Sequence, residues 1–182
     1  MSSPAPTAGA SSRKASSRVG SPRDEHNLLP QLSGRDLNGE RYELPEDLNR
    51  RWNFLIAAFR REQQELVDGW LGLLLGPQVA GPHVAVYEIP ILSLTLSPVR
   101  SFIDGGMARG VGTDEARART ITVYTSVRRV LRELGLDGTD TIAVLLVERS
   151  GRIVARESGA CGERKAQRLL SALAMQDANS DG

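Results

Sequence analysis

The feature that most constrains the fold is a near-continuous apolar run, WNFLIAAF, at residues 52–59. A run of this length without regular polar alternation is typical of a strand covered on both faces, as in the middle of a parallel sheet. Three later segments are also rich in apolar and β-branched residues: residues 83–89, 120–124 and 141–148. Apolar residues at helical spacing separate these runs, at residues 61–75 and 126–134. The chain therefore predicts an α/β fold around an apolar sheet.

Antiparallel pairs are predicted before and after these units. Asn38-Gly39 is a favoured turn dipeptide, which predicts a β-hairpin over residues 37–44. Residues 152–157 alternate after a Ser-Gly turn and should pair antiparallel with the strand before them, and a helix is predicted at residues 163–174. This order predicts a three-layer α/β/α arrangement of the thioredoxin-like type, with a central mixed sheet and an N-terminal β-hairpin.

The segment between residues 90 and 119 is less regular. Pro90 and the hydroxyls after it predict that the preceding strand has ended, Ser97-Pro98 predicts the start of a helix, and residues 110–118 read as a mobile loop. The helix would either pack on the sheet or offer an apolar surface to a protein partner. The side chains of that surface are Leu96, Val99, Phe102, Ile103 and Met107.

Composition limits the function classes. The chain has 182 residues, with 23 basic and 22 acidic side chains and a net charge of +1. This balance argues against a nucleic-acid partner, and no segment approaches the roughly 20 apolar residues of a membrane span. We expect a disordered basic Ser/Ala/Pro-rich tail at residues 1–26, one domain at residues 27–175 and a flexible end at residues 176–182. A cytoplasmic location is expected, or a mitochondrial one if the tail is a transit peptide.

Four short segments carry a family resemblance. The Asn-Gly hairpin before an apolar strand resembles the redoxin branch of thioredoxin-like proteins. More narrowly, VYEIPIL at residues 86–92, TITVYT at 120–125 and VERSGRI at 147–153 resemble the assembly-factor-10 family of mitochondrial ATP synthase and its bacterial relatives. The resemblance implies a thioredoxin-like domain that acts by protein binding, as an assembly factor or scaffold for a membrane complex.

The chemistry of a thiol oxidoreductase is missing. Such an enzyme needs a thiolate at the start of the helix after the first core strand, where the helix dipole and free amides lower the thiol pKa. This place is occupied by FRREQQ at residues 59–64, and the proline usual in redoxins before the fourth core strand is missing from residues 138–142. We therefore predict a non-catalytic protein without a cofactor.

Cys161 is the single cysteine, so an intramolecular disulfide and a multi-cysteine zinc site are excluded. His26 and His83 are the two histidines, and no metal site is predicted. Cys161 lies just before the last predicted helix, where it is either a half-buried residue in a cap or a thiol favoured as thiolate. An atypical single-cysteine redox protein using Cys161 is thus the alternative function.

Charged residues suggest one more site. Arg60 and Arg61 stand where the redox cysteines would be, and with Asp140 they would line a groove for a partner. Helix amides and guanidinium groups could bind an anion there, and Arg128 and Arg129 could extend the basic surface. The other interpretation is a solvated arginine pair beside Glu62 and Glu65. The sequence leaves open whether a small molecule binds.

Overall fold

The run at residues 52–59 forms an interior strand of a seven-stranded mixed sheet in the computed structural model, which describes residues 26–95 and 112–178. All seven residues of this strand, Trp52–Ala58, are buried. The strands are β1 (Leu32–Asp36), β2 (Arg41–Leu44), β3 (Trp52–Ala58), β4 (Val84–Ser93), β5 (Ile121–Thr125), β6 (Ala143–Glu148) and β7 (Ile153–Ser158). Their order across the sheet is β2-β1-β5-β4-β3-β6-β7.

Helices cover both faces of this sheet. A 3₁₀ turn at Arg61–Gln63 leads into the first helix, and the helices among the described residues are α1 (Gln64–Leu74), α2 (Asp114–Arg119), α3 (Val127–Leu134) and α4 (Glu163–Ala178). Trp70 of α1 and Leu169 of α4 belong to one apolar cluster, whereas Val130 and Leu134 of α3 belong to the other. The sheet therefore separates two apolar layers, which confirms the predicted three-layer α/β/α architecture.

Strand directions match the predicted hairpins and the predicted parallel pairs, but the antiparallel pairing of β6 with β3 was not predicted. β3, β4 and β5 are parallel, while β6 pairs antiparallel with β3 and β7 pairs antiparallel with β6. The hairpin of β1 and β2 joins the other side through an antiparallel pairing of β1 with β5. Gly39 has φ 92° in the hairpin turn, as the Asn-Gly prediction requires. The first hairpin strand begins at Leu32, however, and residues 37–40 form the turn.

Two predictions for the irregular segment are wrong. β4 continues through Pro90 to Ser93, because Pro90 is the last residue paired with β3 and lies just before the first residue paired with β5. A residue without an N–H is tolerated where pairing changes from one neighbour to the other. Residues 114–119 form α2 where a loop was predicted. Thr113 caps this helix, since its hydroxyl accepts a bond of 3.1 Å from the N–H of Ala116.

The two ends of the predicted domain are also partly described. The segment after His26 lies along β7, where the N–H of Ile153 donates to the carbonyl of Asn27 at 2.7 Å. Helix α4 continues to Ala178, past the predicted start of a flexible end. Its last turn is held by a hydrogen bond from the indole N–H of Trp52 to the Asp177 carboxylate. The predicted helix that begins at Ser97 lies outside the described residues.

Candidate functional site

A thiol oxidoreductase of this fold would hold its redox thiol where β3 ends, at residues 59–64. In this chain that segment lies beside the loop that precedes β6. The chain leaves β3 at Ala58 and enters the 3₁₀ turn at Arg61, so Phe59 and Arg60 form the connection. Because β6 runs antiparallel to β3, the loop before β6 lies at the same edge of the sheet. Residues 59–63 and residues 139–140 are thereby brought together although they are far apart in the sequence.

Gln63 joins these two segments and is only 4% exposed. Its side-chain oxygen accepts hydrogen bonds from the N–H groups of Phe59 at 2.9 Å and Arg60 at 3.2 Å. Its amide nitrogen donates to the carbonyl of Thr139 at 2.8 Å. We call the group of Arg60, Gln63, Thr139 and Asp140 the Gln63 joint. Gln63 was not predicted as a site residue, although a Gln three residues after a helix cap is a known capping signal.

Arg60 and Asp140, predicted to line one groove, do lie together. The guanidinium of Arg60 contacts the Asp140 carboxylate at 2.8 Å. It also donates from Nη2 and Nε to the Thr139 hydroxyl, at 2.9 and 3.2 Å. The two charged side chains are 51% and 89% exposed, so solvent screens the ion pair. Because the guanidinium already has these partners, less of its donor capacity is available to an anion.

The other predicted basic residues lie differently. Arg61 and Arg128 are exposed, and neither makes a side-chain hydrogen bond or ion pair within the described part of the chain. Arg129 is half-buried on α3 and donates to the carbonyl of Gln31 at 3.0 Å. This bond ties α3 to the segment before β1. No bond between described residues connects Arg129 with Arg60, so the extended basic surface is not formed by direct contacts.

The apolar part of the predicted contact surface cannot be placed, because its side chains lie outside the described residues: Leu96, Val99, Phe102, Ile103 and Met107.

A cleft of about 450 Å³ lies next to the Gln63 joint, between its loop and the start of β6. Asp140 and Thr141 line one part of it, and Arg156 and Glu157 of β7 line another. Arg156 donates to the carbonyl of Leu134 at 2.7 Å and to the carbonyl of His26, and burial lowers its pKa. Since Glu157 is likewise paired with Arg168, most charged groups of this cleft already have a partner in the protein.

Cys161 lies half-buried against the apolar cluster beneath α1 and α4. Burial raises the pKa of its thiol, while the nearby Lys165 acts in the opposite direction. The Lys165 ammonium is itself bonded to the carbonyls of Ser158 at 2.6 Å and Ala160 at 3.3 Å. A raised pKa reduces the thiolate fraction at neutral pH, so the surroundings give Cys161 no activation as a nucleophile.

No group of three or more His, Cys, Asp or Glu side chains in residues 26–95 and 112–178 could hold a metal ion. None of the helices described in these ranges has the length and apolar character needed to cross a bilayer.

Comparisons with known proteins identify the fold. No protein-family model matches the sequence, and no curated protein is detectably similar to it. A putative electron transfer protein from Aquifex aeolicus superimposes with a TM-score of 0.58 at 15% identity, over 81% of this chain and 95% of its own. Yeast Sco1 superimposes with a TM-score of 0.55 at 13% identity, over 86% of this chain and 97% of its own.

The thioredoxin domain of a thiol-disulfide oxidoreductase from Bacteroides vulgatus is also similar, with a TM-score of 0.51 at 19% identity, over 80% of this chain and 94% of its own. Likeness at such low identity shows the fold alone. The chain therefore has the thioredoxin-like fold, as the order of its elements predicted. None of these comparisons supports the narrower resemblance to the assembly-factor-10 family.

Proposed function

We propose that this chain is a non-catalytic thioredoxin-like protein that acts by binding another protein. The Gln63 joint carries the proposal. A redox thiol at this place would depend on unbonded amides at the start of the helix to stabilise its thiolate. Here residues 59–64 contain no cysteine, and the amides of Phe59 and Arg60, just before the 3₁₀ turn, are bonded to the Gln63 side chain, so a structural contact stands where the thiol would lie.

The surface around the Gln63 joint is the proposed contact region. Asp140 is largely exposed and its loop borders the cleft described above, which offers carboxylate, hydroxyl and apolar groups side by side. Mixed surfaces of this kind are common at protein interfaces. An assembly factor for a membrane complex such as ATP synthase is the narrower form of the proposal. This narrower form rests on the sequence resemblance alone. The location, cytoplasmic or mitochondrial, depends on whether the N-terminal tail is a transit peptide.

A site-directed crosslinking experiment tests the binding function. A photoreactive amino acid replaces Asp140 in the full chain, and a matched chain carries it at Gln167, an exposed position on α4. We expect one defined protein to crosslink at position 140 and not at position 167. The purified partner should then bind the unmodified chain, with at least a roughly tenfold loss of affinity on Asp140→Arg. Equal crosslinking from both positions, or unchanged affinity in the variant, would contradict the proposed contact region.

A redox assay tests the non-catalytic part. The unmodified chain and Cys161→Ser are compared for reduction of a mixed disulfide and for turnover of peroxide in the presence of a dithiol. We expect both proteins to be inactive to the same extent. Turnover that depends on Cys161 would establish the single-cysteine redox alternative in place of this proposal.

A further inference from the structure

A second polar pocket, remote from the Gln63 joint in the fold, lies on the hairpin side of the sheet. It has a volume of about 240 Å³ and is lined by Ser33, Gly34, Arg35, Arg41, Glu43, Thr122 and Tyr124. We call it the hairpin pocket. Its volume is below the range of about 300–1,000 Å³ that suits drug-sized ligands. A ligand that fills it is therefore small.

Strand register explains why these side chains share one face. Arg35 of β1 lies directly opposite Arg41 of β2 on one side and opposite Thr122 of β5 on the other. Ser33 lies opposite Glu43 one step further along the same face. Because side chains alternate along a strand, a row of two arginines and a threonine crosses three adjacent strands. The apolar residues between them, such as Ile121 and Val123, face the core.

The two arginines are an unusual cross-strand pair. Like charges directly opposite each other in an antiparallel pair repel and destabilise it. Neither Arg35 nor Arg41 forms an ion pair with any carboxylate in the described ranges, although Glu43 lines the same pocket. The Glu43 carboxylate instead accepts a hydrogen bond from the Ser33 hydroxyl. Arg35 donates to the carbonyl of Gly39 at 3.0 Å, which leaves most of its donors available.

Thr122 supplies an independent observation that points to a ligand. The residue is 2% exposed, and its buried hydroxyl has no hydrogen-bond partner among residues 26–95 and 112–178. A buried hydroxyl without a partner costs free energy, and such groups are rare in folded proteins. Its side chain lies on the strand face of the pocket, next to Arg35. A negatively charged ligand with acceptor oxygens would accept a hydrogen bond from this hydroxyl and would also offset the charges of Arg35 and Arg41.

We propose that the hairpin pocket binds a tetrahedral oxyanion, either as free phosphate or sulfate or as the phosphate group of a monoester. The planar fork of a guanidinium matches the oxygens of such an anion, and two forks can contact different oxygens. The Thr122 hydroxyl donates to a third. The charge of the anion offsets the repulsion between Arg35 and Arg41, and this offset gives the site its selectivity for a multiply charged ion over chloride. The proposal is independent of the protein-binding function.

The test measures binding of inorganic phosphate to the full chain by calorimetry and thermal melting, against chloride at equal ionic strength. Arg35→Ala/Arg41→Ala should weaken binding roughly tenfold or more, since hydrogen bonds to a charged group are lost. The matched control is Arg132→Ala/Arg164→Ala, which removes the same charge from exposed sites on α3 and α4. The affinity of this control variant for phosphate should stay within about twofold of that of the parent protein. If the double variant fails to fold, Arg41→Gln replaces it.

Thr122→Val tests the buried hydroxyl, because valine keeps the shape and removes the donor. We expect a several-fold weaker affinity for phosphate and a higher melting temperature without phosphate. Acetate, sulfate and O-phosphoserine are further probes, and tighter binding of O-phosphoserine than of phosphate would identify a monoester as the ligand. The proposal is overturned if phosphate gives no shift beyond chloride, if the control variant loses as much affinity, or if Thr122→Val leaves the phosphate affinity unchanged.

Discussion

The Gln63 joint and the hairpin pocket both place arginine and threonine side chains beside strands of the same sheet, but the hydrogen bonding differs. In the joint, Gln63 uses both ends of its amide, and Arg60 is bonded to Thr139 and Asp140. In the pocket, Arg35 faces Arg41, and the Thr122 hydroxyl has no partner in the part of the chain that the structure describes. A region whose polar groups are satisfied by the protein stabilises the fold, whereas a region with unfilled hydrogen-bonding capacity is suited to a ligand.

The largest expected effect tests whether the Gln63 joint is structural. Gln63→Ala removes three hydrogen bonds and leaves the buried N–H of Phe59 and the carbonyl of Thr139 without their partner. We expect a loss of about 3 kcal/mol in the free energy of unfolding, measured by chemical denaturation. Gln167→Ala on the exposed face of α4 is the control, with an expected loss under about 0.5 kcal/mol. Equal stabilities of the two variants would show that the joint is dispensable.

Glu88 of β4 shows what burial costs a charged group even when hydrogen bonds are available. It is 8% exposed, and burial raises its pKa, reinforced by Asp68 on α1. Hydrogen bonds with Gln64 and Thr120 and the charge of Arg119 act in the opposite direction. Since the pKa of the carboxyl is raised on folding, its stabilising contribution is present below the unfolded pKa and is lost as the pH rises through the folded value.

Glu88→Gln should therefore stabilise the protein by about 1 kcal/mol near neutral pH, where the buried carboxylate of the parent is costly. The difference should shrink as the pH falls towards about 4.5, because the parent is then protonated. Denaturation of both proteins across this pH range is the measurement. A difference in stability that grows as the pH falls would mean that the carboxylate is favoured in the folded protein, contrary to this expectation.

A smaller effect is expected from the ion pair of the Gln63 joint. Arg60 and Asp140 are 51% and 89% exposed. A double-mutant cycle with Arg60→Ala and Asp140→Ala should give a coupling energy of about 0.5 kcal/mol that falls in high salt. A coupling several times larger would make the ion pair, rather than Gln63, the main stabilising contact of this region.

The smallest expected effect belongs to the hairpin pocket. Arg41→Gln removes one of two facing positive charges, so it should stabilise the hairpin by about 0.3 kcal/mol in chloride buffer. In phosphate the order should reverse, because the parent gains more from the bound anion. Melting curves in the two buffers at equal ionic strength provide the measurement. A variant less stable than the parent in chloride would show that the opposed arginines do not repel.

Much of the fold could be predicted because its signals are local. The buried strand Trp52–Ala58, the turn at Gly39 and the helix capped by Ser126 and Gly135 follow from patterns within a few residues. Helix α2 was not predicted because it has no apolar stripe. Its Thr113 cap, its acidic first turn and its basic last turn are signals of a helix, but the glycines just before them favoured a loop. Strand β4 was predicted too short because the effect of Pro90 depends on its two neighbouring strands.

The candidate sites divide in the same way. The approach of Arg60 to Asp140 was predicted from the likeness to redoxins, in which these two positions line one groove, and the absence of a cysteine at the start of α1 is a property of the sequence itself. The roles of Gln63 and Thr122 were not predicted. Gln63 bonds to Thr139, and Thr122 lies beside Arg35, so each role depends on a partner distant in the chain.

By itself, the sequence determined the alternation of strands and helices, the single cysteine and the lack of a redox thiol where the fold would hold one. Only the tertiary structure decided which polar side chains are bonded and which are left without a partner. The physical reason is that burial and hydrogen bonding depend on strand register, which brings Arg41, Arg35 and Thr122 into one row from three separate strands. No local pattern of residues contains that register.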